Sequence, residues 1–391
     1  MVSGAPHAVI AGAGVAGLAT ACRLAATGWS TTVLERRADL LEGGRAILLQ
    51  PNGLAALEGL GALEHVRERG IVLSRVVFET TAGRRLALYD YGELDHPHAY
   101  ALEIRPPDLR GALAARLAEL GAEPPRLSCE VTGLRRRGDA VAGAHYRGPD
   151  GAERELDAAC VVGADGPESS VRQALGIRAR RFISPDTYVL GVVDGPGGGS
   201  ELTVYCGPGF ADGVVPLRDG VYLWDRVTDE NREAVSSRDV SGWRAVYEQR
   251  LPAGHEVPPA VVSWDQLTTV RTCPFVPAAR IATGAALAGD AAGMVHPHSA
   301  QGANLALEDA VALGDALERH SGPEPVPQSA LRAYAGPRHR KLRRYMLGSL
   351  WVARSFDAPN PLWRAIRATG FRSARIGPLR RALHRRQAGL G

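Results

Sequence analysis

The chain has 391 residues, 45% hydrophobic and 23% charged, the balance of an ordinary globular protein long enough for two domains and for a core that needs no staple. Its net charge of +4 is unevenly placed: from Ser329 onward about 15 Lys or Arg face one acid, Asp357, leaving the rest of the chain at about −10. Five scattered cysteines without a CxxC pair argue against a disulfide framework or a zinc site, and the absence of a signal peptide or of an apolar run of ~20 residues argues against export or a membrane span, so a cytoplasmic setting is expected.

Residues 7–11 read as a short apolar strand, 15–27 as an Ala- and Leu-rich helix ending near Gly28, and 30–34 as a β-branched second strand. Such a strand–turn–helix–strand start favours a parallel sheet. A further helix is expected over 107–120, with proline early and Gly121 after its end, and a short buried strand over 158–162. From about 181 to 270 the pattern changes to short alternating runs broken by Gly and Pro, which predicts an inserted antiparallel sheet. A last apolar strand over 285–288 precedes a helix over 302–317, and the chain finishes in helices from about 331, punctuated by Pro359, Pro361 and Pro378. The expected fold is therefore α/β: a Rossmann-like nucleotide-binding domain with an inserted, mostly antiparallel β-sheet substrate domain and C-terminal helices. The division is 1–180 with 271–330 for the first domain, with about 70–105 contributing to the second. Residues 181–270 form the substrate sheet, and 331–391 the basic helices.

Gly12-Ala-Gly14-Val-Ala-Gly17 lies between the first strand and the first helix. The first glycine permits the tight turn, the second lets backbone approach a pyrophosphate, and the third lets helix and strand pack closely. The helix N-terminus offers free N–H groups to phosphates. Glu35 closes the next strand, placed to accept from ribose hydroxyls, and an acid there disfavours a 2′-phosphate. FAD or NAD is thus expected rather than NADP.

Two later motifs separate those cofactors. Val162-Gly-Ala-Asp165-Gly166-Pro-Glu-Ser-Ser-Val-Arg172 and Ala288-Gly289-Asp290-Ala-Ala, followed by His296-Pro297 and Gln301-Gly302-Ala303-Asn304, stand in an order that resembles the class A flavoprotein monooxygenases, the family of p-hydroxybenzoate hydroxylase. The resemblance implies bound FAD, with Asp165 and Gly166 near the pyrophosphate, Gly289 and Asp290 on the ribityl chain, and residues 301–304 opening a helix toward the flavin's N1–C2=O edge. It also implies roles for Arg45, near the isoalloxazine, and for Arg105, although Arg105-Pro-Pro-Asp-Leu109 is one residue longer than the family spacing. Ala16, Arg36 and Val131 complete the expected cofactor set. The family's glycine before Gln301 is replaced by Ala300, and a second histidine appears in His296-Pro297-His298. Pro297 is expected to wall the flavin's reactive side, and either histidine to orient or deprotonate a phenol-like substrate.

By resemblance, NADH or NADPH reduces FAD, O2 adds at flavin C4a, and the resulting hydroperoxide hydroxylates a small, electron-rich aromatic compound. No metal is required and no nucleic-acid motif accompanies the basic tail, which implies at most a weak contact with a membrane surface. A halogenase would need a WxWxIP segment and a nearby lysine, both absent. A reductase of isoprenoid double bonds and a non-catalytic flavin-binding protein share the FAD motifs and stay open. The middle sheet, around Tyr205, Val215-Pro216 and Trp224, is expected to line the substrate pocket.

Overall fold

The computed structural model describes residues 4–40, 46–182, 186–195, 197–252, 261–357 and 360–391. In chain order, β1 (His7–Ala11), α1 (Val15–Ala26) and β2 (Ser30–Leu34) open the fold, followed by β3 (Arg75–Thr80), β4 (Arg85–Asp90) and α2 (Pro106–Glu119). Then come β5 (Cys160–Gly163), β6 (Ala179–Arg181), β7 (Thr187–Asp194), β8 (Glu201–Gly207), β9 (Phe210–Leu217) and β10 (Gly220–Arg226). Helix α3 (Val240–Gln249) precedes β11 (Leu267–Arg271), β12 (Phe275–Pro277) and β13 (Ala285–Leu287). Four helices finish the chain: α4 (Gly302–Leu317), α5 (Gln328–Asp357), α6 (Pro361–Ser373) and α7 (Gly377–Gln387).

The first sheet runs Ile281–Ala282, β13, β5, β1, β2, and all pairs but the first are parallel. Its apolar strands are covered on both faces and so need no polar one: fully buried Ile10 and Val162 pack against helices, and fully buried Val9 and Val161 against the antiparallel strands Glu130–Arg137 and Ala140–Arg147. From β1 the chain moves outward to β2 on one side and later returns to β5 on the other. The loops leaving β1 and β5 therefore diverge and open a crevice at their carboxyl ends, the place where open α/β sheets bind ligands.

The second sheet runs β11, β7, β10, β9, β8, β3, β4. It is antiparallel except where β8 lies parallel to β3, because β3 and β4 arrive from the segment before α2. Two helices interrupt the stretch read from sequence as pure sheet: Arg232–Ser237 and α3. Val240, Trp243 and Tyr247 of α3 recur at helical spacing and cover one face of the sheet, where Tyr205 joins them. Val215, Tyr222 and Trp224 belong to the opposite face, packed toward Phe356 and Phe371 of α5 and α6. Tyr205 therefore does not share a wall with Trp224, contrary to the expectation that both line one pocket. Strand residues point alternately to either side, and Tyr205 falls on the α3 face.

Beneath α3, Arg250 bonds both Asp225 (2.7 Å) and Asp212 (3.2 Å), and the Trp243 indole N–H donates to Asp225 at 2.7 Å. All are buried. Burial pushes both carboxyl groups up in pKa, and the Arg250 guanidinium opposes that. Replacing one member leaves a charge without its partner. Arg250→Leu is expected to cost about 3–5 kcal/mol in a urea titration; a loss below ~1 kcal/mol would show that the cluster contributes little.

Candidate active site

At the crevice, β1 turns through Gly12, whose φ of +96° and whose approach to Ala164 (a Cβ would stand 2.5 Å from its carbonyl oxygen) admit only glycine. A Cβ on Gly17 would lie 1.8 Å from the Gly12 carbonyl oxygen, so α1 seats on the turn only if that position is bare. Gly14 differs. It is the N-cap of α1, no side chain caps the helix there, and a Cβ on it would meet nothing within 4 Å. The space it leaves open belongs to the crevice, not to the packing.

Gly12, Gly14, Glu35, Arg36, Val131, Asp165 and Gly166 line one cavity of about 210 Å³. Glu35 accepts from the Ala13 N–H (2.8 Å) and the Arg37 N–H (3.0 Å), which fixes the carboxylate while each oxygen keeps a further lone pair. Asp165 Oδ2 accepts from the Ser170 N–H at 2.7 Å, and its Oδ1 is buried with no partner among the described residues. An orphaned acceptor, an uncapped helix end and an unfilled glycine cradle in one cavity suit a hydroxyl- and phosphate-bearing ligand such as FAD.

Arg105 does not line this cavity. Pro106 begins α2 directly after it, and its guanidinium pairs with Asp194 (2.6 Å) and Asp219 (3.1 Å) on the second sheet. Arg110, one turn into α2, reaches the cavity instead and donates to the Leu40 carbonyl. Sequence reasoning passed over it, though it follows Leu109 directly. Arg45 lies outside the described residues.

Asp290 stands in the short 3-10 turn Gly289–Ala292, outside the cavity lining. That turn is held from behind by Asp309, which accepts from the Gly289 N–H (3.1 Å), from Arg280 (3.0 Å) and from Arg338 (2.6 Å). Burial would raise its carboxyl pKa, but the two guanidiniums overcome this and hold it below the usual range. Ala16 packs on the same turn, since a Cβ on Gly289 would come 2.6 Å from the Ala16 methyl.

Gln301 and Asn304 bracket the start of α4, but neither side chain is spare. Gln301 accepts from Asn52 (3.1 Å) and donates to the Gln387 carbonyl (3.0 Å). Asn304 accepts from the Gln50 N–H and donates to the Leu48 and Ala300 carbonyls. What the helix end still offers is backbone: it has no side-chain cap, and a Cβ on Gly302 would meet nothing. Ala303 comes next in the same first turn.

The loop before α4 carries the two histidines into a buried polar cluster. His298 Nε2 lies 3.0 Å from the Tyr188 hydroxyl and 3.3 Å from Asp357 Oδ1. His296 Nε2 lies 3.5 Å from Asp186, and its Nδ1 accepts from the His298 N–H at 3.3 Å, with Pro297 between them. Arg226 joins the carboxylates, 2.8 Å from Asp186 and 3.2 Å from Asp357. Burial drives the His296 pKa down, partly offset by Asp186, and burial with both carboxylates drives the Tyr188 hydroxyl well up, so Tyr188 stays a neutral phenol. The Phe356 ring, 5.7 Å from that of His298, joins this cluster to the aromatic face of the second sheet. None of Tyr188, Arg226 and Asp357 was singled out as a site residue from sequence.

The family described as an FAD-binding domain matches residues 6–346. Kynurenine 3-monooxygenase of Salinispora tropica is 30% identical over 373 residues, covering 84% of this chain and 76% of that protein. 3-Hydroxybenzoate 6-hydroxylase of Klebsiella oxytoca is 29% identical over 342 residues, covering 84% and 82%. Among solved structures, p-nitrophenol 4-monooxygenase of Pseudomonas putida superposes with a TM-score of 0.84 at 22% identity, over 99% of this chain and 98% of that one.

The glycine geometry separates two roles by experiment. Gly14→Val is expected to fold with a near-native melting temperature and to lose FAD on gel filtration, whereas Gly17→Val is expected not to fold. Retention of FAD by folded Gly14→Val would remove the cradle from the cofactor site. Ala300 adopts φ +47°, a left-handed conformation that costs a non-glycine residue about 1 kcal/mol. Ala300→Gly is expected to raise the melting temperature; a fall would show that the methyl group packs usefully.

Proposed function

The chain belongs to the class A FAD-dependent monooxygenases, the family of p-hydroxybenzoate hydroxylase, and on that premise we propose that its substrate is a small phenol-like aromatic molecule with His298 as the acid–base residue. The observation that carries this reading is the cluster in which His298 meets the Tyr188 hydroxyl and Asp357 beside the ring of Phe356. The relatives named for kynurenine and 3-hydroxybenzoate act on aromatic molecules, which supports the same class here.

Bound FAD, reduced by NADH or NADPH, supplies the activation of O2. The chain's own residues supply placement and proton handling. In this reading Glu35 and Arg36 hold the adenosine end, and the bare Gly14 and the first N–H groups of α1 meet the pyrophosphate. Asp165 and Arg110, which line the same cavity as Gly14, stand by the pyrophosphate, and Asp290 holds the ribityl chain. Gly302 and Ala303 present backbone N–H groups, since the side chains of Gln301 and Asn304 are already engaged. Tyr222, Trp224 and Phe356 offer aromatic surface to an aromatic substrate.

Removing the proton of a phenol raises the electron density of its ring and so speeds attack on an electrophilic oxygen. His298 accepts that proton. Asp357, 3.3 Å from the His298 Nε2, stabilises the imidazolium that forms, and Arg226 pairs with Asp357 at 3.2 Å. His296, made less basic by burial, shapes the loop through its bond to the His298 N–H.

A panel of phenols and aromatic acids is scored for accelerated NAD(P)H oxidation and for a product one oxygen atom heavier. With the best compound, His298→Ala is expected to keep FAD and to go on consuming NAD(P)H, but to form product about 10²-fold more slowly, with hydrogen peroxide released instead. His296→Ala is the control for a purely structural histidine. Unchanged product per NAD(P)H in folded His298→Ala would rule out the base. If no panel compound gained oxygen, the phenol assignment would fail.

A further inference from the structure

A second cavity, about 510 Å³, lies between β6, β12 and α5. Arg178, Arg180, Arg343 and His339 line it together with Phe182 and Met346, so its rim is cationic and its floor apolar. Arg180 lies over the Phe182 ring at 5.2 Å, and among the described residues none of these three arginines forms an ion pair with an acid.

The surface beside the cavity continues the same chemistry. On α5, Arg340, Arg343, Arg344, Leu347, Trp351 and Arg354 recur every three or four residues and so share one outward stripe. Leu347 is 68% exposed and Trp351 53% exposed, large values for such side chains. Trp351 meets Trp363 edge-on at 6.4 Å, which brings in Leu362 of α6, itself 68% exposed. Apart from Asp357, which is buried in the histidine cluster, residues 329–391 contain no acid. Part of the positive charge is spent inward: Arg338 and Lys341 pair with Glu308, and Arg380 with Glu93. Among the described residues, the arginines of the stripe on α5 form no ion pair with an acid.

An exposed Trp–Leu patch ringed by arginine, next to a cationic pocket with an apolar floor, is complementary to one kind of partner. The acidic side chains of a protein satisfy the arginines but not Leu347, Trp351 and Leu362, which would need a separate apolar patch in register with them. A neutral apolar ligand satisfies the reverse set. Anionic phospholipid satisfies both, with headgroup phosphate at the arginines and the aromatic and leucine side chains at the acyl boundary. We propose that this face, centred on the cavity between β6, β12 and α5, docks on a bilayer containing anionic phospholipid. The proposal stands apart from the substrate assigned above and from His298.

The test uses the full-length FAD-loaded protein and co-sedimentation with vesicles of phosphatidylcholine alone or with phosphatidylglycerol. Partition onto the phosphatidylglycerol vesicles is expected to exceed that onto phosphatidylcholine at least about tenfold and to fall as salt is raised. Arg178→Glu and Arg343→Glu are each expected to reduce it about fivefold or more, and Leu347→Glu and Trp351→Glu to reduce it at least as much. All four variants should oxidise NAD(P)H in vesicle-free buffer at the wild-type rate. Arg319→Glu, an equal charge reversal at the far end of α4, separates a built site from diffuse attraction and should change partition less than twofold. The proposal is overturned if phosphatidylglycerol vesicles do not retain the protein, or if Arg319→Glu costs as much as Arg343→Glu. It is also overturned if ultracentrifugation shows a dimer that Trp351→Glu dissociates, which would assign the face to a second copy of the chain.

Discussion

Asp309 is the point through which the crevice is tied to the rest of the molecule. Its buried carboxylate takes one hydrogen bond from the Gly289 N–H and is clamped by Arg280 and Arg338, which come from the strand side and from α5. Tyr334 adds to the clamp, lying 3.1 Å from Arg280 and donating to the Leu287 carbonyl at the end of β13. The turn that presents Asp290, the start of α4 and the long C-terminal helix therefore keep a common geometry. A buried carboxylate with two guanidiniums and a backbone donor has its charge and its lone pairs answered, the condition under which burying an ion is tolerable.

Two buried charge clusters flank the second sheet, and their composition gives them different capacities. Under α3, Asp212, Asp225 and Arg250 are satisfied by one another, by Trp243 and by Asn231, and burial raises the pKa of both carboxyl groups against the pull of the guanidinium. On the loop side, Arg226 pairs with two carboxylates, Asp186 and Asp357, and two imidazoles and a phenol lie against them. Imidazole is the side chain able to gain or lose a proton at small cost at working pH. The first cluster holds a helix in place. The second holds a loop in place while keeping a proton-bearing group at its edge.

Much of this was legible in the chain itself, for local reasons. The strand, glycine turn, helix and acid of residues 7–35 are contiguous, and each glycine's task is set by its position in the turn; the helix read over 302–317 is the one observed. Legibility fails where partners are distant. The helix start at Gln301–Asn304 was read for its backbone N–H groups; that the side chains bond Asn52, Gln387, Leu48 and Gln50 is something no spacing reveals. Nor does spacing show the partners of Arg105: Pro106 starts the helix directly after it and its guanidinium pairs with Asp194 and Asp219, while Arg110 lines the cavity. Helix α3 was hidden by its Trp, Tyr and Val, residues that read as strand until their three- and four-residue spacing is noticed.

The histidine loop is fastened to α5 at two levels: the His296 N–H donates to the Ser349 hydroxyl, and His298 meets Asp357 two turns further along the same helix. Residues 188, 226, 298 and 357 are therefore coupled through direct contacts. A change at one of them alone leaves a buried polar group without its partner, so the paths by which such a site can take up a new substrate are narrow. Mutations that reshape the loop must arrive with a compensating change on a helix about 60 residues away, or pass through a less stable intermediate sequence. Diversification at this site is thus a matter of epistasis: descendants inherit the loop and the end of α5 as one unit.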